Sequence, residues 1–271
     1  MNYNLYNMKI NDIWGHDSWE KFYRTQRIIQ IKPLTGFFAS YDIYLCDAIL
    51  EKYLPKYLGF SKNKPKICEI GCGDGEMIKK IADKFNYSPY GIEYSQIAAK
   101  QSKKLGIRVI EGDVFSEELN KKYSNFFDVI YSYGFIEHII PPENAIQTHL
   151  NLLKKNGILV IQIPRFKGFN YWRVKIFRPS LLPLHNLEIM ESEKIHSLMK
   201  KFKCRKLICK NYGTFKLRLP PEKRDFVYYV LKTINLLDYI INPLLRILFK
   251  DKGFETRFFS PSIIYIGKKT P

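Results

Sequence analysis

Apolar residues along this chain switch between two periods. Ile67, Cys68 and Ile70 surround a single acid, Glu69, and read as a short buried strand. Gly71, Gly73 and Gly75 follow, and from Glu76 the period turns helical, with Ile78, Ile81, Ala82 and Phe85 at i, i+3, i+4 and i+7. The segment from Lys66 to Phe85 is therefore strand, glycine turn, helix. Tyr87 to Ile92 predicts a second strand that ends at Glu93, and Ser95 caps a helix that stops at Gly106. Ile107 to Ile110 and Phe127 to Ser132 predict the third and fourth strands. Ile146, His149, Leu150 and Leu153 mark a helix closed by Lys154, Lys155 and Gly157, with the cations set against the helix dipole. Gly157 to Ile163 is nearly all apolar, as a central strand would be, and Pro164 stops it. Such alternation calls for a parallel sheet flanked by helices.

Three stretches depart from that rhythm. Residues 1–60 predict an N-terminal arm and a helix ahead of a main domain over 61–271. The arm carries Trp14, Trp19, Phe22, Tyr23, Arg24 and Arg27 without a clean period, and residues 41–57 then place Cys46, Ile49, Leu50, Tyr53, Leu54 and Tyr57 on one stripe. Residues 165–190 form an insertion after the fifth strand. A helix returns at Ser192 with Ile195, Leu198, Met199 and Phe202, and Arg205 to Tyr212 and Ser262 to Lys268 alternate like a pair of edge strands. Between these lies the second insertion, 213–261, where a hairpin loop has ~2 to 5 residues. Within it Lys232, Asn235, Asp238, Asn242 and Arg246 make one narrow polar stripe on an otherwise apolar helix, which Pro243 is expected to kink or split. Polar residues recur too often there for an uninterrupted apolar span of ~20 residues. The wide apolar face needs cover from its own domain, a second copy of the chain, or a membrane interface.

Composition and charge narrow the partners. With 271 residues, 46% of them hydrophobic, the chain can bury an ample core, and disorder is excluded. Five cysteines without a C-x-x-C pair fit a reduced, cytosolic setting and argue against a zinc-cysteine site, and the N-terminus lacks the apolar run of a signal peptide. The net charge of +18 is uneven: residues 1–163 carry 21 Lys and Arg against 18 Asp and Glu, residues 164–271 carry 23 against 8. The C-terminal third thus favours anionic partners, whether nucleic acid, phosphorylated sugars or an acidic membrane, unless AT-rich codon usage alone supplied the lysines.

The glycine turn carries the clearest chemistry. Its geometry predicts free backbone N–H groups and a positive helix end aimed at a ligand. A dinucleotide fingerprint wants a third glycine where Glu76 stands, and no Walker string occurs. What remains is E-x-G-x-G-x-G, with an acid suited to a cationic amino group. This resembles the first motif of class I S-adenosylmethionine-dependent methyltransferases. The resemblance covers about Ile67 to Pro164 and implies a Rossmann-like α/β fold: a seven-stranded, mostly parallel sheet, helices on both faces, an antiparallel last strand, and here helical insertions near the C-terminus. It implies that Glu69 and the turn Gly71, Cys72, Gly73 and Gly75 hold the methionine part of the cofactor. Glu93, ~20 residues past the turn, is placed to bind the ribose hydroxyls, with Tyr94 beside it. The acid of the Gly112-Asp113 turn is implied to bond the adenine amino group, with Val114 backing the ring. The F-D-x-I-x-x-x-x-x-x-E-H pattern from Phe127 to His138 looks like the fourth motif of small-molecule methyltransferases that include the ubiquinone-biosynthesis O-methyltransferases. Topology sets Tyr131, Ser132 and His138 beside the sulfonium. Some members of that group bind a divalent metal through an extra acid upstream of E-H; Gly134 stands there, so no metal is expected.

Methyl transfer by displacement on the sulfonium needs donor and acceptor held in line, and an oxygen acceptor must also lose a proton. His138 is the first candidate base and His185, in the first insertion, the second. Phe166, Phe169, Tyr171, Trp172, Arg173, Lys175 and Arg178 suit a sugar, glycolipid or phenol with an anionic group. The expected reaction is O-methylation of a small molecule or glycan with S-adenosylhomocysteine as product. Two other classes stay open. An RNA or protein methyltransferase would use the basic third, although Ser132-Tyr133-Gly134-Phe135 lacks an N/D-P-P-Y-like motif; a cofactor-binding assembly subunit would lack catalysis.

Overall fold

A computed structural model of the chain describes residues 11–12, 15–29, 41–213, 219, 226–249 and 255–271. Its central sheet comprises β1 (Lys66–Ile70), β2 (Ser88–Glu93), β3 (Arg108–Glu111), β4 (Phe127–Tyr133), β5 (Leu153–Pro164), β6 (Cys204–Tyr212) and β7 (Ser262–Lys269). The spatial order is β3-β2-β1-β4-β5-β7-β6. The first five strands pair in parallel, and β7 inserts antiparallel between β5 and β6. This is the Rossmann-like methyltransferase sheet the resemblance implied. The order reverses between β1 and β4, so a crevice opens beyond their carboxyl ends.

Both sheet faces are covered, which is why the central strands are apolar at nearly every position. On one face Cys68, Ile70, Ile130, Leu159, Ile161 and Ile263 join side chains of α6 (Pro142–Leu152) and α8 (Ser192–Met199). On the other, Ile67, Val129, Tyr131, Val160 and Ile264 meet α3 (Glu76–Phe85) and the segment after α2 (Tyr41–Ala48). Strand alternation sorts neighbours such as Val160 and Ile161 to opposite sides. The predicted helix over 41–57 begins as α2, widens over Ile49–Tyr53 and tightens over Leu54–Lys56, keeping Ile49, Leu50, Tyr53 and Leu54 buried. Ser95 caps α4 (Gln96–Lys104) as expected, its hydroxyl accepting from the Ala98 N–H at 3.3 Å, and Ser116 caps the short α5 (Glu117–Lys122) in the same way.

One local expectation changes and another narrows. Lys154 and Lys155 do not close α6: Leu153 already pairs with Phe127 in the sheet, and Lys154 Nζ reaches Asp128 Oδ1 at 2.7 Å. A partner carboxylate and a ladder position outweigh the dipole contact of a few tenths of a kcal/mol. The helix of the second insertion, α9 (Phe226–Phe249), runs on through Pro243 instead of splitting. A helical φ suits proline, and the lost N–H and the crowding of the preceding carbonyl do not end the helix here.

The N-terminal arm lies across the mouth of the crevice. Asn11–Asp12 pairs antiparallel with Ile139–Ile140, and α1 (His16–Ile29) follows. The Gln96 N–H, at the start of α4, donates to Glu20 Oε1 at 2.6 Å. Trp14 lies outside the described residues.

Candidate functional site

The glycine turn leaves β1 with three left-handed residues, Gly71 (φ +67), Gly73 (φ +55) and Gly75 (φ +80). A Cβ on Gly71 would stand 2.9 Å from the Phe135 ring, one on Gly73 2.6 Å from the Tyr23 hydroxyl, and one on Gly75 2.3 Å from Ile107. Gly75 therefore serves helix packing, while Gly71 and Gly73 leave space at the mouth. The expected free N–H groups are already bonded at four positions of the turn. Gly71 and Cys72 donate to the Ile92 carbonyl, Gly73 donates to Glu93 Oε2 at 2.8 Å, and Gly75 donates to the Cys72 carbonyl. Buried backbone donors need partners, and here the neighbouring strand supplies them. The turn offers room more than donors. Cys72 turns its sulfur inward, 3.6 Å from Ser102 Oγ and against Gly91.

The acids arrive where the spacing put them. Glu69 is 3% exposed, and its Oε2 has no hydrogen-bond partner. Burial, then the nearby Asp74, pushes its carboxyl well above the usual range, with the Ile78 N–H opposing. A buried acid in that state gains from a cationic group. Glu93 accepts from Gly73 and, through Oε1, from the Ser95 N–H at 2.7 Å, so it ties the glycine turn to the β2–α4 turn. Burial raises its pKa while those N–H groups lower it. Tyr94, next in the chain, is half-exposed. Asp113 is exposed and accepts from the Phe115 N–H at 2.8 Å, and Val114 is buried. Tyr131 and Ser132 pair in register with Glu69 and Ile70; both side chains are buried, with hydroxyls that lack partners.

At the far end of the crevice, Ile136–His138 forms a tight turn after β4. The insertion folds onto it: the Asn186 N–H donates to the Glu137 carbonyl at 2.7 Å, and the His138 and His185 ring centroids stand 4.6 Å apart. His138 Nδ1 meets the Leu184 carbonyl at 2.8 Å and His185 Nδ1 meets the Leu181 carbonyl at 2.7 Å. A carbonyl only accepts, so both Nδ1 atoms carry hydrogen and both Nε2 atoms keep a lone pair. Burial first, then His185, lowers the His138 pKa to about 3, and burial lowers that of His185. Burial raises Glu137 to about 8. The sequence thus named both histidines and left out Glu137, although it sits beside His138.

Other side chains here carried no periodic signal. Trp19 from α1 stands edge-on to His138 at 5.2 Å, Phe115 stacks on Phe135 at 6.1 Å, and the Tyr23 hydroxyl reaches Gly73. In the insertion, α7 (Phe169–Phe177) exposes 57% of Trp172, with Lys175 Nζ 5.3 Å from its ring. Arg165, Arg173 and Arg178 are buried instead of lining an open surface; Arg165 reaches the Ser260 carbonyl and Glu191.

Residues 38–202 match the family described as a methyltransferase domain. The chain belongs to that methyltransferase family. Its glycine turn, acids and E-H segment all fall inside the matched stretch. Among curated proteins, this methyltransferase is 29% identical over 101 residues to the tRNA U34 carboxymethyltransferase of Helicobacter pylori (strain G27), covering 35% of this chain and 39% of that one. It is 30% identical over 140 residues to the ubiquinone biosynthesis O-methyltransferase of Pelagibacter ubique, covering 49% of this chain and 55% of that one. The methyltransferase therefore spans about two fifths to half of the length of these relatives. A solved S-adenosylmethionine-dependent methyltransferase from Archaeoglobus fulgidus shares the fold with a TM-score of 0.57 and 18% identity, over 92% of this chain and 99% of that one. Among the described residues, no helix is long and apolar enough to cross a membrane.

Proposed function

We propose that the protein transfers the methyl group of S-adenosylmethionine to an oxygen of a small molecule, a sugar, glycolipid or phenol. The observation that carries this reading is Glu69, a buried acid with an unpartnered oxygen at the head of the glycine turn. It suits the α-amino group of the cofactor. Glu93, Asp113 and Val114 would meet the ribose and adenine in turn, and Phe135, against Gly71, would border the sulfonium. Tyr23 and Trp19 from the arm would exclude water from donor and acceptor. The acceptor oxygen would approach His138 and His185; burial keeps both imidazoles neutral, so they would accept a hydrogen bond from its hydroxyl and orient it, while the proton leaves to water as the methyl group arrives. Electrons move from that oxygen to the methyl carbon, the carbon–sulfur bond breaks, and S-adenosylhomocysteine leaves.

Calorimetry with S-adenosylmethionine tests the donor assignment: binding to the wild-type chain and a loss of about 100-fold or more in Glu69→Ala are expected, since a buried charge would lose its partner. No cofactor binding by the wild type would sink the reading. A labelled-methyl screen against nucleotide sugars, lipid-linked glycans, phenols and tRNA then addresses the acceptor. The tRNA arm is motivated by the similarity to a tRNA-modifying enzyme and by the basic C-terminal third.

Contact with an anionic membrane surface belongs to the same reading. On α9, Leu236, Ile240, Leu244, Ile247 and Leu248 are all exposed within about a third of the helix circumference, whereas Leu231, on the opposite side, is buried. A helix with such a face lies in an interface, and exposed Lys175, Lys232 and Arg257 match anionic headgroups. A homodimer through 225–249 would cover the same face, and concentration-dependent sedimentation without vesicle binding would favour it.

A further inference from the structure

We propose that Glu137, His138 and His185 bind one divalent transition-metal ion at the acceptor end of the crevice. Their donor atoms lie within 4.8 Å of one another. Glu137 is 1% exposed, and neither of its carboxylate oxygens has a hydrogen-bond partner. His138 Nε2 is 3.8 Å from Glu137 Oε1, too far for a hydrogen bond. Both imidazoles hold their hydrogens on Nδ1, against the Leu184 and Leu181 carbonyls, so each presents an Nε2 lone pair. Three electron-pair donors thus converge in a buried place where an unpaired carboxylate is costly, and a cation relieves that cost. A backbone carbonyl on the remote ring nitrogen is also how metal-bound imidazoles are commonly oriented.

The donor set selects the kind of ion. Two imidazole nitrogens and a carboxylate suit Zn²⁺, Mn²⁺, Fe²⁺ or Co²⁺; Mg²⁺ and Ca²⁺ prefer oxygen ligands. Ligands ~2.1 Å from one ion stand ~3.4 Å apart in a tetrahedron, so side-chain movements of about 1 Å close the triad. Gly134 occupies the place of the extra acid that metal-binding members use, and its Cβ would stand 3.4 Å from Glu137 Oε1. The third ligand comes instead from His185 of the insertion, 47 residues beyond His138. Three protein ligands leave a position for an acceptor oxygen, whose pKa the ion would lower so that its proton passes to water. The inference deepens the reading of this cluster as the acceptor end and rests on it: with an ion bound, both Nε2 atoms would ligate it and the ion, in place of the imidazoles, would orient the acceptor oxygen.

Titration of the chelator-stripped chain with Co²⁺ and Zn²⁺, in the absence of cofactor and acceptor, tests the site. About one equivalent should bind, with visible Co²⁺ bands. Co²⁺ should also quench Trp19, which stands against His138, and Trp19→Phe should remove that part of the quench. Glu137→Gln and His185→Ala should each weaken binding by at least about 10-fold. His196→Ala, at a surface ring, should not. Circular dichroism and S-adenosylmethionine affinity report whether each variant folds, with His185→Asn as the milder change. The proposal is overturned by the absence of saturable binding, by unchanged binding in folded Glu137 and His185 variants, or by Mg²⁺ binding as tightly as Zn²⁺. Because no donor is present, the ion site and methyl transfer fail separately.

Discussion

The two ends of the crevice are built in opposite ways. At the donor end, the glycine turn and Glu93 are close in sequence, and their polar groups are mostly paired with one another through Ile92 and Ser95. At the acceptor end, Trp19, Glu137 and His185 come from three distant segments, and Glu137 has both carboxylate oxygens without partners where Glu69 at the donor end has one. A local frame can be complete before any ligand arrives. A frame assembled from insertions on a common fold is where specificity can vary, since function sits in sites grafted onto folds.

Breaking the donor end should have the largest effect. Gly75→Val forces a side chain into a left-handed residue and onto Ile107 and Ser102, so we expect a loss of about 3 kcal/mol or more and no cofactor binding, read by thermal melts and calorimetry. The frame beneath both ends can be probed by pH. His149 in α6 is fully buried, and burial lowers its pKa to about 4. The unfolded chain then binds a proton that the folded chain refuses, so stability falls as pH drops from about 6.5 to about 4 and levels off below. His149→Phe should flatten that acid limb by up to about 3 kcal/mol in denaturant titrations at each pH; an unaltered limb would assign it to other groups. At the acceptor end, His138→Ala should cost about 10²-fold in turnover while cofactor affinity is kept, and unchanged turnover would remove His138 from the chemistry. The smallest effect is expected furthest from the crevice. Ile240→Glu with Ile247→Glu should reduce partition onto anionic vesicles by about 10-fold or more and leave cofactor affinity unaltered.

The same asymmetry explains what could be read in advance. Strand alternation, the glycine turn and the acids at Glu69, Glu93 and Asp113 were legible because each depends on neighbours within ~40 residues, where period and turn chemistry act directly. The sheet assignment of Leu153 to Lys155 was not, because a ladder partner in β4 overrode a helix-end preference worth tenths of a kcal/mol. The inward packing of the Cys72 sulfur was hidden for a related reason: motif position says that a residue is at the turn, not that its side chain packs against Gly91. The aromatic arm offered no period, so its contacts with Gly73 and His138 could only be found in three dimensions.

The sheet, the turn and the family to which the chain belongs could be read from the residues in order. These rest on short-range patterns that any chain with the same local spacing repeats. Packing alone set the pairing of the Gly71, Cys72, Gly73 and Gly75 N–H groups, the burial of Glu137 beside two imidazoles, and the outward apolar face of α9. Those outcomes depend on which distant segments share a boundary, and burial and pairing across such a boundary leave no period in the chain.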